Sequence, residues 1–302
     1  MNLLTRSDFD GLACAVLLKE IGVIDTWKFV HPKDIQDGLI KATSNDVLAN
    51  VPYVEGAGLW FDHHASEVER LGSLDFDFKG SVRLLDSAAH VIYDYYKDEH
   101  DLSHFDEMLE AVDKVDSAKL SVSEILHPKD WIMLGYVMDP RTGLGRFREF
   151  TISNYQLMEK LIELCRTQTI VQILQDPDIQ ERIELYNEHF SLFVDMIRTH
   201  TYTKGNVIVS DLRGVNPIYA GNRFAVYALY PNQNISMWVV DGRENINCSI
   251  AVGHSIVNRS STADVGSILL SYGGGGHTQV GTCQPDFKEC DRVIGELLEK
   301  LQ

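Results

Sequence analysis

Residues 59–67 read Leu-Trp-Phe-Asp-His-His-Ala-Ser-Glu (LWFDHHASE). A short apolar run stops abruptly at Asp62, His63 and His64, a carboxylate followed by two imidazoles. A brief, continuous apolar segment of this kind reads as a strand buried in a sheet. Its polar residues then stand at the strand's carboxyl end, where open parallel sheets hold their ligands.

Working outward from this stretch, the first half of the chain alternates strand and helix patterns. Residues 1–7, 26–30, 41–50 and 58–61 read as strands, and 11–21, 87–96, 105–115 and 122–136 as helices. That order predicts an α/β fold with a parallel, helix-flanked sheet over residues 1–150. Residues 152–199 keep helical spacing with hardly a breaker but Pro177, so 151–200 read as a helical connector of two or three helices. Beyond it, 206–210, 223–230, 235–241 and 247–253 read as strands, with helices at 263–271 and 287–301, giving a second, smaller α/β domain over 201–302.

A chain of 302 residues with 44% hydrophobic residues can bury a core in each of two domains. It has no run of eighteen or more uncharged apolar residues, and the opening MNLLTRSDFDG turns polar early. The expectation is a soluble, cytoplasmic protein without membrane partners. Cys14, Cys165, Cys248, Cys283 and Cys290 are scattered and form no CxxC pair, so they read as separate thiols rather than a disulfide framework or thiolate zinc site. The formal net charge is −17. From Thr201 onward there are eight Lys/Arg against nine Asp/Glu, and before it 19 against 35. Such an acidic first part repels polyanions, which argues against a long DNA or RNA track, although solubility accounts for the charge equally well.

Acidic residues gather where strands and helices end: Asp8 and Asp10 before Gly11, Asp46, Asp62 with its two histidines, and Asp113 with Asp116. Converging carboxylates need cations between them, and oxygen ligands with one or two imidazoles suit Mn²⁺ or Mg²⁺. Singly these signals have plain structural readings. Asp-x-Asp-Gly is commonly a helix cap, and so is an Asp followed by Ser. Their joint occurrence favours a metal centre.

The segments TRSDFDG (5–11), NDVLANVPYVEGAGLWFDHH (45–64), VDKVDSA (112–118) and SYGGGGH (271–277) together resemble the motifs of the DHH/DHHA1 phosphoesterases. That family includes nanoRNases, cyclic-dinucleotide phosphodiesterases, exopolyphosphatase-like proteins and single-strand exonucleases. The resemblance implies a two-ion centre of Mn²⁺ or Mg²⁺. Asp8 would bind one ion, Asp10, His63 and Asp116 the other, and Asp46 would bridge them. Asp62 would orient an imidazole from behind or act as an outer ligand, and His64 would donate to a phosphate oxygen or the leaving group. Many relatives place a histidine two or four residues before the first aspartate; here Arg6 and Leu4 occupy those positions. His31 is a candidate replacement, with a solvent-capped strand end as the alternative, and Arg6 is a candidate for substrate phosphate. In the second domain, Gly273, Gly274, Gly275, Gly276 and His277, with Arg259, are the candidate anion or base contacts. Arg141, Arg146 and Arg148 stand near the connector, more simply as surface charges.

Three functions remain open on these residues. The first is hydrolysis of short linear oligonucleotides or pGpG-like dinucleotides to mononucleotides. The second is an exopolyphosphatase or pAp-type phosphatase, and the third a non-catalytic nucleotide sensor. Base preference, action on cyclic dinucleotides and oligomeric state, a homodimer included, stay open.

Overall fold

The computed structural model of the chain describes residues 1–71, 77–242, 244 and 246–302. These form two compact units: 1–120, 128–140 and 144–184 in one, and 121–127, 141–143 and 185–302 in the other. The stretch expected as a helical connector, 151–200, falls in the first unit up to residue 184 and in the second beyond it.

The first unit is built on β1 (Asn2–Thr5), β2 (Thr26–Phe29), β3 (Asp46–Ala49), β4 (Leu59–Asp62) and β5 (Gly80–Val82). They pair in the order β2-β1-β3-β4-β5, every pair parallel. The sheet reverses its order of growth between β1 and β3, the switch point at which sheets of this kind have their ligand crevice, beyond the strands' carboxyl ends. Its helices are α1 (Phe9–Glu20), α2 (Pro32–Gln36), α3 (Ala65–Leu71), α4 (Ala88–Tyr96) and α5 (Asp106–Asp116). Next come α6 (Val122–Leu126), which falls to the second unit, and α7 (Asp130–Met138). Residues 122–136 are thus two helices rather than the single one expected. Pro128 lies in the break, where it has no N–H to continue a helical ladder.

Helix α1 is buried continuously from Phe9 to Leu18, which its all-round apolar sequence requires. On one face of the sheet Leu4, Leu48, Val51 and Trp60 form a core with Val30 and Ile35. The indole of Trp60 donates to Val51 O at 3.0 Å and meets Tyr53 and Phe78 edgewise or tilted. The helices α8 (Asn154–Thr167) and α9 (Ile170–Leu174) follow, then α10 (Pro177–His200), within which the division between the units falls. Both α8 and α9 open with a complete capping box, Ser153 with Gln156 and Thr169 with Gln172.

The second unit contains β6 (Thr201–Lys204), β7 (Val207–Asp211), α11 (Ala225–Leu229), β8 (Ile235–Asp241), β9 (Cys248–His254), α12 (Val265–Leu270), β10 (Gly275–His277), β11 (Val280–Cys283) and α13 (Cys290–Lys300). Its sheet runs β10-β11-β9-β8-β7-β6, with only β7 and β8 parallel. Residues 223–230, expected as a strand, instead hold the short helix α11. An unbroken apolar run has neither period, and here tertiary packing chose the helix, burying Ala225, Val226 and Tyr227. The core unites β7, β8 and β9 with α12 and α13. Within it Cys248 and Cys290 are joined as a disulfide, with their Cα atoms 6.4 Å apart. This corrects the reading of five separate thiols; Cys14, Cys165 and Cys283 are buried and free. Among the described residues no helix is long and apolar enough to cross a membrane.

Candidate metal centre and catalytic site

The register of the first sheet decides which side chains meet. Thr5, Ala49 and Phe61 are level across β1, β3 and β4, so Arg6, Asn50 and Asp62 emerge at one edge. The backbone N–H of Asn50 confirms the alignment by donating to Phe61 O at 3.1 Å. Asp46 pairs with Asn2 at the strands' opposite, amino-terminal edge. Four residues at about 3.3 Å each separate it from the crevice by roughly 13 Å. Its carboxylate caps the preceding turn, accepting from Asn2 Nδ2 at 2.8 Å, Thr43 N at 2.7 Å and Thr43 Oγ1 at 2.8 Å. Partial desolvation alone would raise its pKa, but these bonds together outweigh it and hold the group below the usual aspartate value. Asp46 is therefore not brought to the site, and the residue from β3 that is brought there is Asn50.

Asp8 caps α1, accepting from Gly11 N at 2.9 Å. Gly11 has no alternative here, since a Cβ would lie 2.0 Å from Arg6 O. Two residues further, the Asp10 carboxylate is buried and accepts from Ala88 N at 2.9 Å and Ala89 N at 2.8 Å. Those are the first free N–H groups of α4, an anion-receptive helix start. Helix α4 is itself fixed by Ser87, which caps His90 N and donates to Asp113 Oδ1 at 2.6 Å, while Asp113 Oδ2 lies 2.6 Å from His90 Nδ1. Thus Asp113 braces the helix that receives Asp10, and Asp116, one turn further along α5, is left for the site.

Asp10 and Asp116 meet at His63. The ring Nδ1 of His63 lies 3.2 Å from Leu85 O. A carbonyl only accepts, so Nδ1 carries the hydrogen and Nε2 presents a lone pair. Nε2 is 3.2 Å from Asp116 Oδ2 and 3.7 Å from Asp10 Oδ2, yet it is buried without a hydrogen bond. Burial, and then the charge of Asp8, raise the Asp10 pKa to about 7. Burial, then Asp10 and Asp8, raise Asp116 to about 7 as well. Two carboxylates that resist ionising beside an unpartnered imidazole nitrogen form a donor set that fits a divalent cation. The ligand atoms of Asp10, His63 and Asp116 lie within 4.8 Å of one another.

Asp62 and His64 form the second element. Asp62 is buried at the end of β4, and its Oδ1 accepts from His63 N at 2.6 Å, His64 N at 2.9 Å and His64 Nδ1 at 2.6 Å. Burial alone would pull the His64 pKa down, but the bond to Asp62 and the charges of Asp62 and Asp116 outweigh it and leave it raised. The ring stacks obliquely on His63 at 4.4 Å between centroids and is partly open to solvent. Its Nε2 can therefore carry a proton outward while Nδ1 is anchored.

The other candidates fall elsewhere. Arg6 Nε lies 3.0 Å from Asp8 Oδ2 at the crevice. His31 caps α2, its Nδ1 accepting from Lys33 N at 3.1 Å, and it joins no ligand cluster among the described residues. Gly273 makes a left-handed turn at φ 72°, while Gly274 and Gly276 admit the close pairing of β10 with β11. A Cβ at these two would lie 2.1 Å from Thr282 O and 2.2 Å from Val280 O. Gly275 and the exposed His277 complete this edge strand. Arg259 is exposed, with Nε donating to Ile256 O at 3.1 Å. Arg141 lies over the Phe224 ring, and Arg148 is a surface residue. Sequence reasoning missed Asn50, the start of α4 and Leu85 O. Only Asn50 carried a local signal, an amide residue at a strand end, where its left-handed φ of 57° is tolerated.

A buried acid–imidazole cluster that fits a divalent cation, beside a histidine anchored by a carboxylate at the carboxyl ends of a parallel sheet, is the equipment of a metal-dependent phosphoesterase. The solved structure of the pGpG-specific phosphodiesterase PggH from Vibrio cholerae is 44% identical, with 99% of this chain and 98% of that one covered and a TM-score of 0.88. RecJ in complex with Mn²⁺ from Thermus thermophilus shares the fold at 13% identity and a TM-score of 0.55, over 99% of this chain and 51% of that one. A DHH domain from a member of the s1p family of ribosomal proteins does so at 10% and 0.52, over 100% and 87%. No protein-family profile and no curated protein matches the chain. The chain belongs to the DHH/DHHA1 phosphoesterase family.

Proposed function

We propose that the chain hydrolyses the phosphodiester of short linear nucleotides, with pGpG as the type substrate and two GMP molecules as its products. The observation that carries the reaction is the turn after β4, which sets an ion-ready imidazole, His63, beside one anchored by Asp62, His64. The choice of substrate is supported by the likeness to a pGpG-specific phosphodiesterase along nearly the whole chain. The acidic first part, poorly suited to long polyanions, agrees with it.

Asp10, His63 and Asp116 would hold a divalent ion, Mn²⁺ or Mg²⁺. Such an ion, when bound, neutralises phosphate charge and acidifies water at the reacting centre. Ala88 N and Ala89 N fix Asp10, and Leu85 O fixes the His63 tautomer. As water adds to phosphorus and the P–O3′ bond breaks, His64 Nε2 gives its proton to the departing oxygen, and Asp62 stabilises the imidazolium beforehand. Recognition of the rest of the substrate is assigned to Arg259, His277 and the Gly273–Gly276 run, on their chemistry.

Incubating the protein with Mn²⁺ and pGpG, pAp or polyphosphate, with product analysis, tests this reading. GMP from pGpG is the expected result. Turnover of pAp or polyphosphate instead would move the activity to a phosphomonoester or phosphoanhydride, and tight binding of pGpG without turnover would make the protein a sensor.

A further inference from the structure

We propose that the chain holds a single divalent ion, and that the Arg6 guanidinium is the fixed cation at the place where the family resemblance puts another. The consequence for catalysis rests on the phosphodiesterase reading above; the number of ions does not.

The donor set at Asp8 does not fit an ion. Both carboxylate oxygens are engaged: Oδ1 accepts from Gly11 N at 2.9 Å and Asn50 Nδ2 at 3.1 Å, and Oδ2 faces Arg6 Nε at 3.0 Å. A carboxylate whose charge is matched by a guanidinium and whose lone pairs meet two further N–H groups has little left for a metal. Nor does it have company. Among the described residues no cluster of three ligand atoms includes Asp8, whereas Asp10, His63 and Asp116 form one.

The neighbours oppose a cation as well. At the end of β3, level with the crevice, stands the neutral and fully buried Asn50, whose amide directs N–H toward Asp8. The preceding strand offers the apolar Leu4 and the permanently charged Arg6 in place of an imidazole. A divalent ion beside Asp8 would face a guanidinium at close range, and the carboxylates nearby, Asp10 and Asp116, already belong to the cluster with His63.

Arg6 can do part of what such an ion would do. Its side chain is partly open, and its Nη groups have no further partner among the described residues. They can take a non-bridging phosphate oxygen in the paired geometry to which guanidinium is suited. Asp8 then positions Arg6, while Asn50 positions Asp8.

Counting manganese decides this independently of turnover. The full chain, saturated with Mn²⁺ and desalted, is expected to retain one ion by elemental analysis and to show the spectrum of an isolated Mn²⁺ by electron paramagnetic resonance. Arg6→Ala should keep that ion while kcat/KM on pGpG falls about ten- to a thousandfold, with partial rescue by Arg6→Lys. The double variant Arg6→Ala/Asn50→Asp, which frees Asp8 and adds a carboxylate, should approach two ions, its fold checked by melting temperature. Two ions or a spin-coupled spectrum in the wild-type chain would overturn the proposal, as would loss of the ion in Arg6→Ala. A folded double variant that stays at one ion would show that Arg6 and Asn50 are not the cause. If pGpG is not cleaved at all, the ion counts still decide, and only the substrate reading fails.

Discussion

His64 Nδ1 lies 2.6 Å from Asp62 Oδ1, a carboxylate oxygen that also accepts from two successive backbone N–H groups. A single buried oxygen therefore fixes both the turn and the ring. With Nδ1 anchored, His64→Ala is expected to lower kcat on pGpG by roughly a hundred- to ten-thousandfold, the usual yield of a positioned proton donor. Mn²⁺ content and affinity should remain those of the wild type. Loss of the ion in step with activity would make His64 a ligand instead.

Asp116→Asn should behave in the opposite way. It removes a charge from the trio whose His63 Nε2 has no other partner. Manganese retention should fall with activity, the latter by at least a hundredfold, about 2.7 kcal/mol of transition-state stabilisation. Elemental analysis beside a pGpG assay reads both, and normal turnover would remove Asp116 from the site.

Asp46→Ala makes a sharp control. The residue sits at the far edge of the sheet and makes three hydrogen bonds there, to Asn2 and Thr43. Its loss should cost about 1 kcal/mol of stability for each bond left imperfectly replaced by water, and leave turnover within twofold. An inactive but folded variant would contradict the placement of Asp46.

A pH dependence is expected from His90. Its bond to Asp113, more than the opposing desolvation, raises its pKa above the ordinary 6.5. The folded chain thus keeps this proton more tightly than the unfolded one, so the contribution is whole below about pH 6.5 and is lost as pH rises through the folded value. The ring is 36% exposed, and screening holds the effect to about 1 kcal/mol or less. Melting curves of wild type and His90→Gln, both saturated with Mn²⁺, should differ most below about pH 6.5 and converge as the pH rises through the folded value. A gap that widens with pH would reverse the sign.

For the second unit, Arg259→Ala and His277→Ala should reduce kcat/KM on a dinucleotide by roughly ten- to a thousandfold, about 1.4 to 4 kcal/mol. Bis-p-nitrophenyl phosphate, too small to need remote contacts, should be hydrolysed nearly as before. Equal losses on both esters would deny these residues a part in recognition.

The sequence by itself determined the parallel sheet and pointed to most of the residues that the structure gathers in the candidate ion site. Asp10, the Asp62–His64 turn and Asp116 were legible because each is announced locally, by a polar residue where an apolar run ends, and strand ends are where such a sheet holds ligands. Asp46 and Asn50 lie in one short segment, and the local signal at Asn50, an amide at a strand end, does not by itself say which of the two belongs to the crevice. That was decided by register, since the pairing of Asn2 with Asp46 carries one to the far edge and the other beside Asp8. The same holds for the N–H groups of Ala88 and Ala89, which meet Asp10 from 78 and 79 residues away, and for the Cys248–Cys290 pairing across 42 residues. Local sequence encodes periodicity and chain ends, whereas long-range partners follow from packing, in which every residue of the core selects its neighbours at once.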